Sequence, residues 1–453
     1  MQRLFDEVTS LDKRCYDKFG LSEDILMENA GGGIASYIRK NFKIGSKVIV
    51  VCGSGNNGAD GIVVARNLFN DYDISIFYLK EPKSKMAILQ AKRAKQIGVP
   101  ICDEIIKCDV LVDAIVGTGF CGEFNTKIKN IINQMNLLDS YKIACDVPSL
   151  GFIADTTLTM GALKKSMFLD NVKDFMGVIE VINLGISRDI YEDKSNWNLL
   201  DIDDLKLPYR TKKDSHKGSY GHLAIASGDK IGASSFSALS ALKFGTGLVT
   251  LVGFNQKQIP NAIMSSNQLP KNISALAIGM GLGNAFSDVD MINFLDNNLP
   301  IICDADILSM SIILEILKRK NVVITPHPKE FVSLLKLTNI ADITVDELQN
   351  NRFRYSEKFC EKYPDVTLIL KGANVIIAQG DKFFINPHGT SALAKGGSGD
   401  ILSGLVGSLL AQGYTPLDSA INGSLTHTKL AINYKGADFS LTPDDLINGI
   451  GDL

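Results

Sequence analysis

The chain has 453 residues, too many for one ordinary hydrophobic core, so two or more domains of roughly 100–200 residues each are expected. Apolar residues make up 45% and charged residues 21%, an ordinary globular balance. The formal net charge of -3 gives no bulk attraction to nucleic acid or to an anionic membrane, and neither is an expected partner.

Acidic residues interrupt the N-terminal stretch MQRLFDEVTSLDKRCYDKFG early, which does not read as a signal peptide. No apolar run approaches the ~20 residues of a membrane span, and the expected location is the cytoplasm. The eight cysteines are scattered and none forms a CxxC pair; several sit in strand-like runs and read as small buried thiols of a reducing compartment. Of the five histidines only His327 falls in a chemical motif.

In the first half, strands are predicted at Lys47–Cys52, Ile74–Leu79, Asp109–Val116, Lys142–Val147, Thr156–Met160 and Gly177–Asn183. Helical patterns such as Gly61–Phe69 and Lys83–Ile97 separate most of them. Strands alternating with helices imply parallel neighbours and a doubly wound α/β sheet. The charged stretch 187–207, with the only tryptophan and Pro208 after it, breaks the rhythm, so a domain boundary is placed near 195–212.

The run Cys52-Gly53-Ser54-Gly55-Asn56-Asn57-Gly58-Ala59-Asp60-Gly61 follows the first of these strands and opens a helix. Its glycines permit close backbone approach to an anion at a helix N-terminus. Gly53, Gly55 and Gly58 satisfy G-x-G-x-x-G, but the acid a dinucleotide fingerprint wants at the end of the second strand is one place late, at Glu81. A tight turn explains the glycines alone; it has no need of Asn56, Asn57 and Asp60 together. Asp113, before the turn Gly117-Thr118-Gly119, and Asp146 with Ser149 stand at two further strand ends, where α/β sites form. Asn57, Asp113 and Ser149 offer oxygen ligands to a monovalent or hard cation, although each alone is more often a helix cap.

In the second half the alternation restarts with a strand at His222–Ala226 and a helix at Ala233–Phe244. Strands follow at Leu248–Val252, Ala275–Ile278, Ile301–Asp304, Val322–Thr325 and Val366–Leu370, then a hairpin over Val375–Ile385 turning at Gly380-Asp381. Two helices, Asp400–Ala411 and Ser419–Asn433, close the pattern. Lys395-Gly396-Gly397-Ser398-Gly399-Asp400 precedes a helix apolar on all faces. Its glycines leave N–H groups to face phosphate oxygens, and Asp400 beside them is placed to take a proton from a hydroxyl as it attacks a phosphoryl group. An N-cap alone would not require four small residues before it. Asp304-Ala305-Asp306, Thr325–Glu330 and Lys371-Gly372-Ala373-Asn374 end other strands, and Gly279–Gly283 makes another backbone-exposing turn. Turns at the ends of strands of one sheet are expected to line one cleft.

With Leu26-Met27-Glu28-Asn29-Ala30-Gly31, CGSGNNGADG, VDAIVGTG and CDVPS in that order, the first ~190 residues resemble the NAD(P)HX epimerase domain. The resemblance implies a Rossmann-like fold acting on nicotinamide cofactor hydrated at C6. It assigns the hydrate pocket to Asn56, Asn57, Gly58, Ala59 and Asp60, to Gly117, Thr118, Gly119, Phe120, Cys121, Gly122 and Glu123, and to Asp146. It assigns a potassium ion to Asn57, Asp113 and Ser149. Asp146 is then the acid/base group that interconverts the R and S hydrates. The family's usual Pro-Ser-Gly is here Pro148-Ser149-Leu150-Gly151, with a short segment after it.

The motifs HKGSYGH, GLG, DAD, TPHPKE, LKGAN and GGSGD make residues 211–440 similar to the ribokinase-like, ADP- or ATP-dependent NAD(P)HX dehydratases. The resemblance implies an α/β/α sandwich that dehydrates S-NAD(P)HX to NAD(P)H, with magnesium accompanying ADP or ATP. It assigns Ala233, Gly283, His327 and the base Asp400 to the hydrate, and Lys371, Gly372, Ala373, Asn374, Val375 and Gly399 to the nucleotide. Met280 replaces the family's usual proline and Ser398 its usual threonine. The expected domains are 1–200 and 205–453; the expected partners are NADHX, NADPHX, ADP or ATP, and further copies of the chain. The alternative is a ribokinase-like kinase of a vitamin or sugar hydroxymethyl group carrying a non-catalytic N-terminal binding module.

Overall fold

The structure, a computed structural model, describes residues 1–117, 125–253, 259–295 and 298–453. Thr118, Gly119, Phe120, Cys121, Gly122 and Glu123, all assigned to the hydrate pocket, lie outside the described residues. The chain divides into two compact units, Gln2–Ser195 and Asn196–Leu453 with Met1. Among the described residues no helix is long and apolar enough to cross a membrane.

The first unit contains β1 (Gln2–Phe5), β2 (Lys47–Cys52), β3 (Asp73–Tyr78), β4 (Val110–Ala114), β5 (Tyr141–Cys145), β6 (Thr156–Met160), β7 (Leu163–Lys164) and β8 (Val178–Ile182). Its main sheet runs β3-β2-β4-β5-β6-β8 with every pair parallel. The helices Asn56–Leu68, Lys85–Ile97 and Thr126–Leu137 make the crossovers that parallel pairing requires. Alternate residues of β2 serve opposite faces. Val48, Val50 and Cys52 join a core with Ile34 and Ile62, while Ile49 and Val51 join another with Ile132 and Met135. Both faces are therefore covered, as in a doubly wound sheet. The strand order reverses between β2 and β4, which opens a crevice beyond their carboxyl ends.

The second unit contains β9 (Trp197–Leu199), β10 (His222–Ala226), β11 (Leu248–Val252), β12 (Met264–Ser266), β13 (Ala275–Ile278), β14 (Ile301–Cys303), β15 (Val322–Ile324), β16 (Val366–Leu370), β17 (Val375–Gln379) and β18 (Lys382–Asn386). The order is β12-β11-β10-β13-β14-β15-β16-β17-β18-β9, reversing between β10 and β13. The antiparallel β17–β18 hairpin pairs Gln379 with Lys382, so its turn is Gly380-Asp381, with Gly380 at φ +57. The helix Ser398–Ala411 is buried at every residue from Ile401 to Ala411. Its Leu402 and Val406 pack with Leu223, Ile225 and Ile302 of the sheet.

Two expectations need correction. The helix after β2 begins at Asn56 rather than Gly61, with Gly55 as its N-cap, so the polar residues of the loop motif belong to the helix's first turns. The stretch expected only to interrupt the pattern holds β9. This strand pairs with β18, stacks Trp197 on Phe383 at 4.7 Å and donates the indole N–H to Glu357 at 2.7 Å. β1, β7, β9 and β12 are too short for an alternating pattern to show them.

Candidate active sites of the two units

In the first unit, the glycine motif lets two strand ends and a helix start cross at backbone distance. A Cβ on Gly53 would stand 1.9 Å from the Ile115 carbonyl oxygen, and one on Gly58 would stand 2.1 Å from that of Gly53. Only glycine fits either position. Beyond this crossing lies a cavity of about 660 Å³, whose lining includes Asn56, Asn57, Asp60, Gly117 and Asp146. Gly58 and Ala59 are buried within the helix.

Asp146 follows β5 at φ +73, an uncommon backbone conformation for a residue with a side chain. It is 9% exposed, and its Oδ1 accepts from Thr159 Oγ1 at 3.3 Å, the Met160 N–H at 3.3 Å and Lys164 Nζ at 2.5 Å. Asp60, half-buried on the cavity wall, has its carboxyl pushed well above the usual range, first by burial and then by the charges of Asp146, Asp12 and Glu23. Asp12 also lines the cavity and is raised by burial, against the hydrogen bond that Tyr191 Oη donates to it at 2.7 Å.

Asp113 is fully buried at the end of β4 and binds Ser149 through both oxygens, from the N–H at 2.7 Å and from Oγ at 2.7 Å. Burial pushes its carboxyl up to about 6 against those bonds. Asn57 is buried too, and neither its Oδ1 nor its Nδ2 has a hydrogen-bond partner among the described residues. A buried amide left in that state costs stability unless something fills its place. An amide oxygen, a carboxylate and a hydroxyl are hard donors, which fits a group-one cation. The residue added to the Pro-Ser-Gly motif leaves the Asp113–Ser149 pair intact. Leu150 turns out to solvent at 62% exposure, Gly151 takes φ +87, and Ser149 keeps its bonds to Asp113.

In the second unit, Gly397 caps the helix Ser398–Ala411 in the left-handed region, φ +90. A Cβ there would strike Pro443 Cγ at 2.6 Å. Asp400 stands in the first turn, and its carbonyl accepts from Ser237 Oγ at 2.8 Å, which ties the helix start to the helix Ile231–Lys243. A Cβ on Gly399 would sit 3.4 Å from Lys371 Nζ and 3.7 Å from Asp304 Oδ2. The helix N-terminus, the lysine after β16 and the acid after β14 therefore face one place. Lys371 Nζ donates to Asp304 Oδ1 at 2.7 Å, and Ser403 Oγ donates to Asp304 Oδ2 at 2.8 Å. The Asp400 carboxyl is pushed up to about 6, by burial first and then by the charges of Asp304 and Asp306, against Lys371.

Gly283 and Ala233, both expected at the hydrate, meet at one turn. Gly283, at φ +58, donates its N–H to Asp306 Oδ2 at 2.9 Å. Ala233 abuts the same turn, its Cβ 3.0 Å from where a Cβ of Gly281 would be. Gly372 and Ala373 lead to Asn374, which is buried, and to Val375, the first residue of β17. His327 is the N-cap of the helix Pro328–Leu337: its Nδ1 accepts from the Glu330 N–H at 3.2 Å, while its ring stays about half exposed.

Sequence reading missed Asp12, Lys164 and Tyr191 in the first unit and Asp229, Ser403 and His427 in the second. Asp229 Oδ2 accepts from the Asn284 N–H at 2.8 Å, beside Gly283. His427, pushed down to about 4 by burial and by the charge of Lys371, sits 3.0 Å from Ser398 Oγ. Asp229 follows β10 through Gly228, a glycine-marked strand end that the motif reading passed over; Asp12, Tyr191, Ser403 and His427 lie on helices away from such ends. The usable signals were Gly228-Asp229 after β10 and the pair Lys164-Lys165 so soon after β6.

Two α/β units, each with a raised carboxyl at the switch-point edge of its sheet, define a bifunctional enzyme class rather than one enzyme and a passive module. The NAD(P)H-hydrate dehydratase family matches residues 223–450, and the YjeF-related protein N-terminus matches residues 23–166. The chain is 41% identical over 478 aligned residues to the bifunctional NAD(P)H-hydrate repair enzyme of Helicobacter pylori, covering 100% of both chains. It is 30% identical to that of Coxiella burnetii, covering 91% of this chain and 90% of the relative. Among solved structures, the ADP/ATP-dependent NAD(P)H-hydrate dehydratase of Bacillus subtilis, co-crystallized with ATP/Mg2+, matches at 27% identity and a TM-score of 0.46, over 54% of this chain and 92% of that one. The chain belongs to the family of bifunctional NAD(P)H-hydrate repair enzymes.

Proposed function

We propose that the first unit interconverts R- and S-NAD(P)HX and that the second dehydrates the S form to NAD(P)H at the expense of ADP or ATP. The observation that carries this reading is the full-length relationship, 41% identical end to end, with a separate acid site in each unit. In the first unit, Asp146 accepts the proton of the C6 hydroxyl. The C6–N1 bond breaks with its electron pair on N1, C6 becomes an aldehyde, and the proton passes to N1. Rotation and reversal of these steps set either configuration. Asn57, Asp113 and Ser149 would hold a potassium ion, which supplies fixed positive charge at the crossing of the glycine loop and β4.

In the second unit, Asp400 takes the proton from the C6 hydroxyl, and the oxygen attacks the terminal phosphoryl group of the nucleotide as its bridging P–O bond breaks, releasing ADP from ATP or AMP from ADP. The C6–O bond of the phosphate ester then breaks as a ring proton leaves, giving phosphate and the reduced nicotinamide. The glycine turn and Lys371 meet the transferred negative charge, in the manner of preorganised donors. Magnesium would come with the nucleotide, held largely by phosphate oxygens and water, and supplies charge neutralisation. Ala233 and Gly283 border the hydrate, and Lys371–Val375 with Gly399 border the nucleotide.

The test is to add each purified hydrate with ATP or ADP and follow the absorbance of reduced nicotinamide. S-hydrate is expected to recover at once and R-hydrate only as fast as epimerisation feeds it. No recovery, together with phosphorylation of a hydroxymethyl vitamin precursor, would sink the reading.

A further inference from the structure

The proposed chemistry leaves the buried ammonium beside Asp146 without a task. Lys164 has a side chain 0% exposed, and a lysine is almost never fully buried without a charged partner. Its Nζ lies 2.5 Å from Asp146 Oδ1 and 2.7 Å from Thr159 Oγ1. Among the described residues, Thr159 Oγ1, the Met160 N–H and Lys164 Nζ all donate to that single carboxylate oxygen. The other oxygen is turned toward Gly117, where a Cβ would sit 3.2 Å from Oδ2, and both Gly117 and Asp146 line the cavity. Lys164, Thr159 and Met160 hold one edge of the carboxylate, and the other edge faces Gly117 on the cavity wall.

The fold spends structure on this arrangement. The chain leaves β6 through Gly161, at φ +72, and β7 then pairs Leu163 and Lys164 with Leu4 and Phe5 of β1. That pairing fixes where the ammonium enters. A neutral donor would orient the carboxylate as well; a cation also opposes the acids around it. The titratable groups whose electrostatics involve Asp146 are Asp60 on the helix Asn56–Leu68, Asp12 on the helix Thr9–Phe19, Tyr191 near the end of the unit and Cys145 on β5. Of these, Asp12 and Asp60 carry negative charge or surrender it, and none supplies a positive one.

We infer that Lys164 is a positioning residue of the epimerase reaction: it locks Oδ1 of Asp146 and maintains the group as a proton acceptor, so that Oδ2 exchanges the proton of the C6 hydroxyl. The inference rests on the assignment of Asp146 above.

The test measures R-to-S conversion against pH in the full-length chain, for Lys164→Met, Lys164→Arg, Thr159→Val and Asp146→Asn. Lys164→Met is expected to lower kcat by about 10²-fold with KM nearly unchanged. Its acidic limb moves to higher pH, because a carboxylate without its cation is easier to protonate. Lys164→Arg restores part of the rate and returns the limb; Thr159→Val slows conversion without moving the limb. Lys164→Gln, which refills both hydrogen bonds without charge, replaces Lys164→Met if a thermal melt shows that variant unfolded, and the same limb shift is expected. A neutral variant with the wild-type rate and limb overturns the inference while Asp146→Asn stays inactive. Full activity in Asp146→Asn overturns the assignment beneath it instead.

Discussion

The two units hold their carboxylates in opposite ways. Asp146 stands just past a strand, at φ +73, with a buried ammonium 2.5 Å away. Asp400 stands in the first turn of a buried helix, its carboxyl raised by burial first and then by two acids, with the ammonium of Lys371 engaged on one of them, Asp304. A carboxylate beside its own cation stays charged and oriented. A carboxylate among acids is a stronger base once ionised, and its cation remains close to where phosphate charge would arrive. The first arrangement suits a proton that leaves and returns, and the second suits a proton taken once as phosphoryl transfer begins.

This contrast breaks most sharply at Asp400. Asp400→Asn is expected to lower dehydration of S-hydrate by about 10³-fold or more and to leave R-to-S conversion untouched, read on the two purified hydrates. Asp146→Asn is expected to do the reverse, cutting epimerisation by about 10²–10³-fold. If either variant impaired both reactions, the separation of the two sites would fail. Asn57→Leu fills the unpartnered amide position with an apolar group. It is expected to lower epimerisation by about 10-fold in potassium buffer and to remove any difference between potassium and choline buffers.

Smaller effects sharpen the electrostatic side. With its carboxyl pushed up to about 6, Asp400 loses its basic form as pH falls through that value, so kcat/KM for dehydration should fall on the acid side of about 6. Asp306→Asn removes a negative charge but keeps an oxygen for the Gly283 N–H. It should therefore move that limb to lower pH, and an unmoved limb would show that burial alone sets it. The linkage has a second consequence. A folded carboxyl raised from 3.8 to about 6 favours folding most fully below its unfolded value, and the advantage is lost as pH rises through about 6. Asp400→Asn should accordingly raise stability at neutral pH relative to wild type, by up to about 3 kcal/mol, seen as a higher melting temperature in the inactive enzyme.

Much of the architecture was legible because parallel strands buried on both faces are long apolar runs, and crossover helices separate them at regular intervals. Lys47–Cys52 and Val366–Leu370 were read to their ends for that reason. The glycines at 53 and 58 were legible as special, since a close backbone crossing excludes every other residue. The neighbours of Asp146 and Asp400 were less so. His327 stood out by its motif, yet the structure gives it a capping box with Glu330. Lys164 looked like one half of an ordinary Lys-Lys pair, because burial is decided by where β7 docks.

The sequence by itself determined the alternation of strands and helices, the glycine crossings and the carboxylates at strand and helix ends, because each of these is a local demand on residue type. Only the tertiary structure decided which groups surround those carboxylates. Lys164 approaches Asp146 from a strand that β1 holds in place, and Lys371 approaches Gly399 from the far end of β16. Electrostatics depends on distance and burial, which chain order does not record.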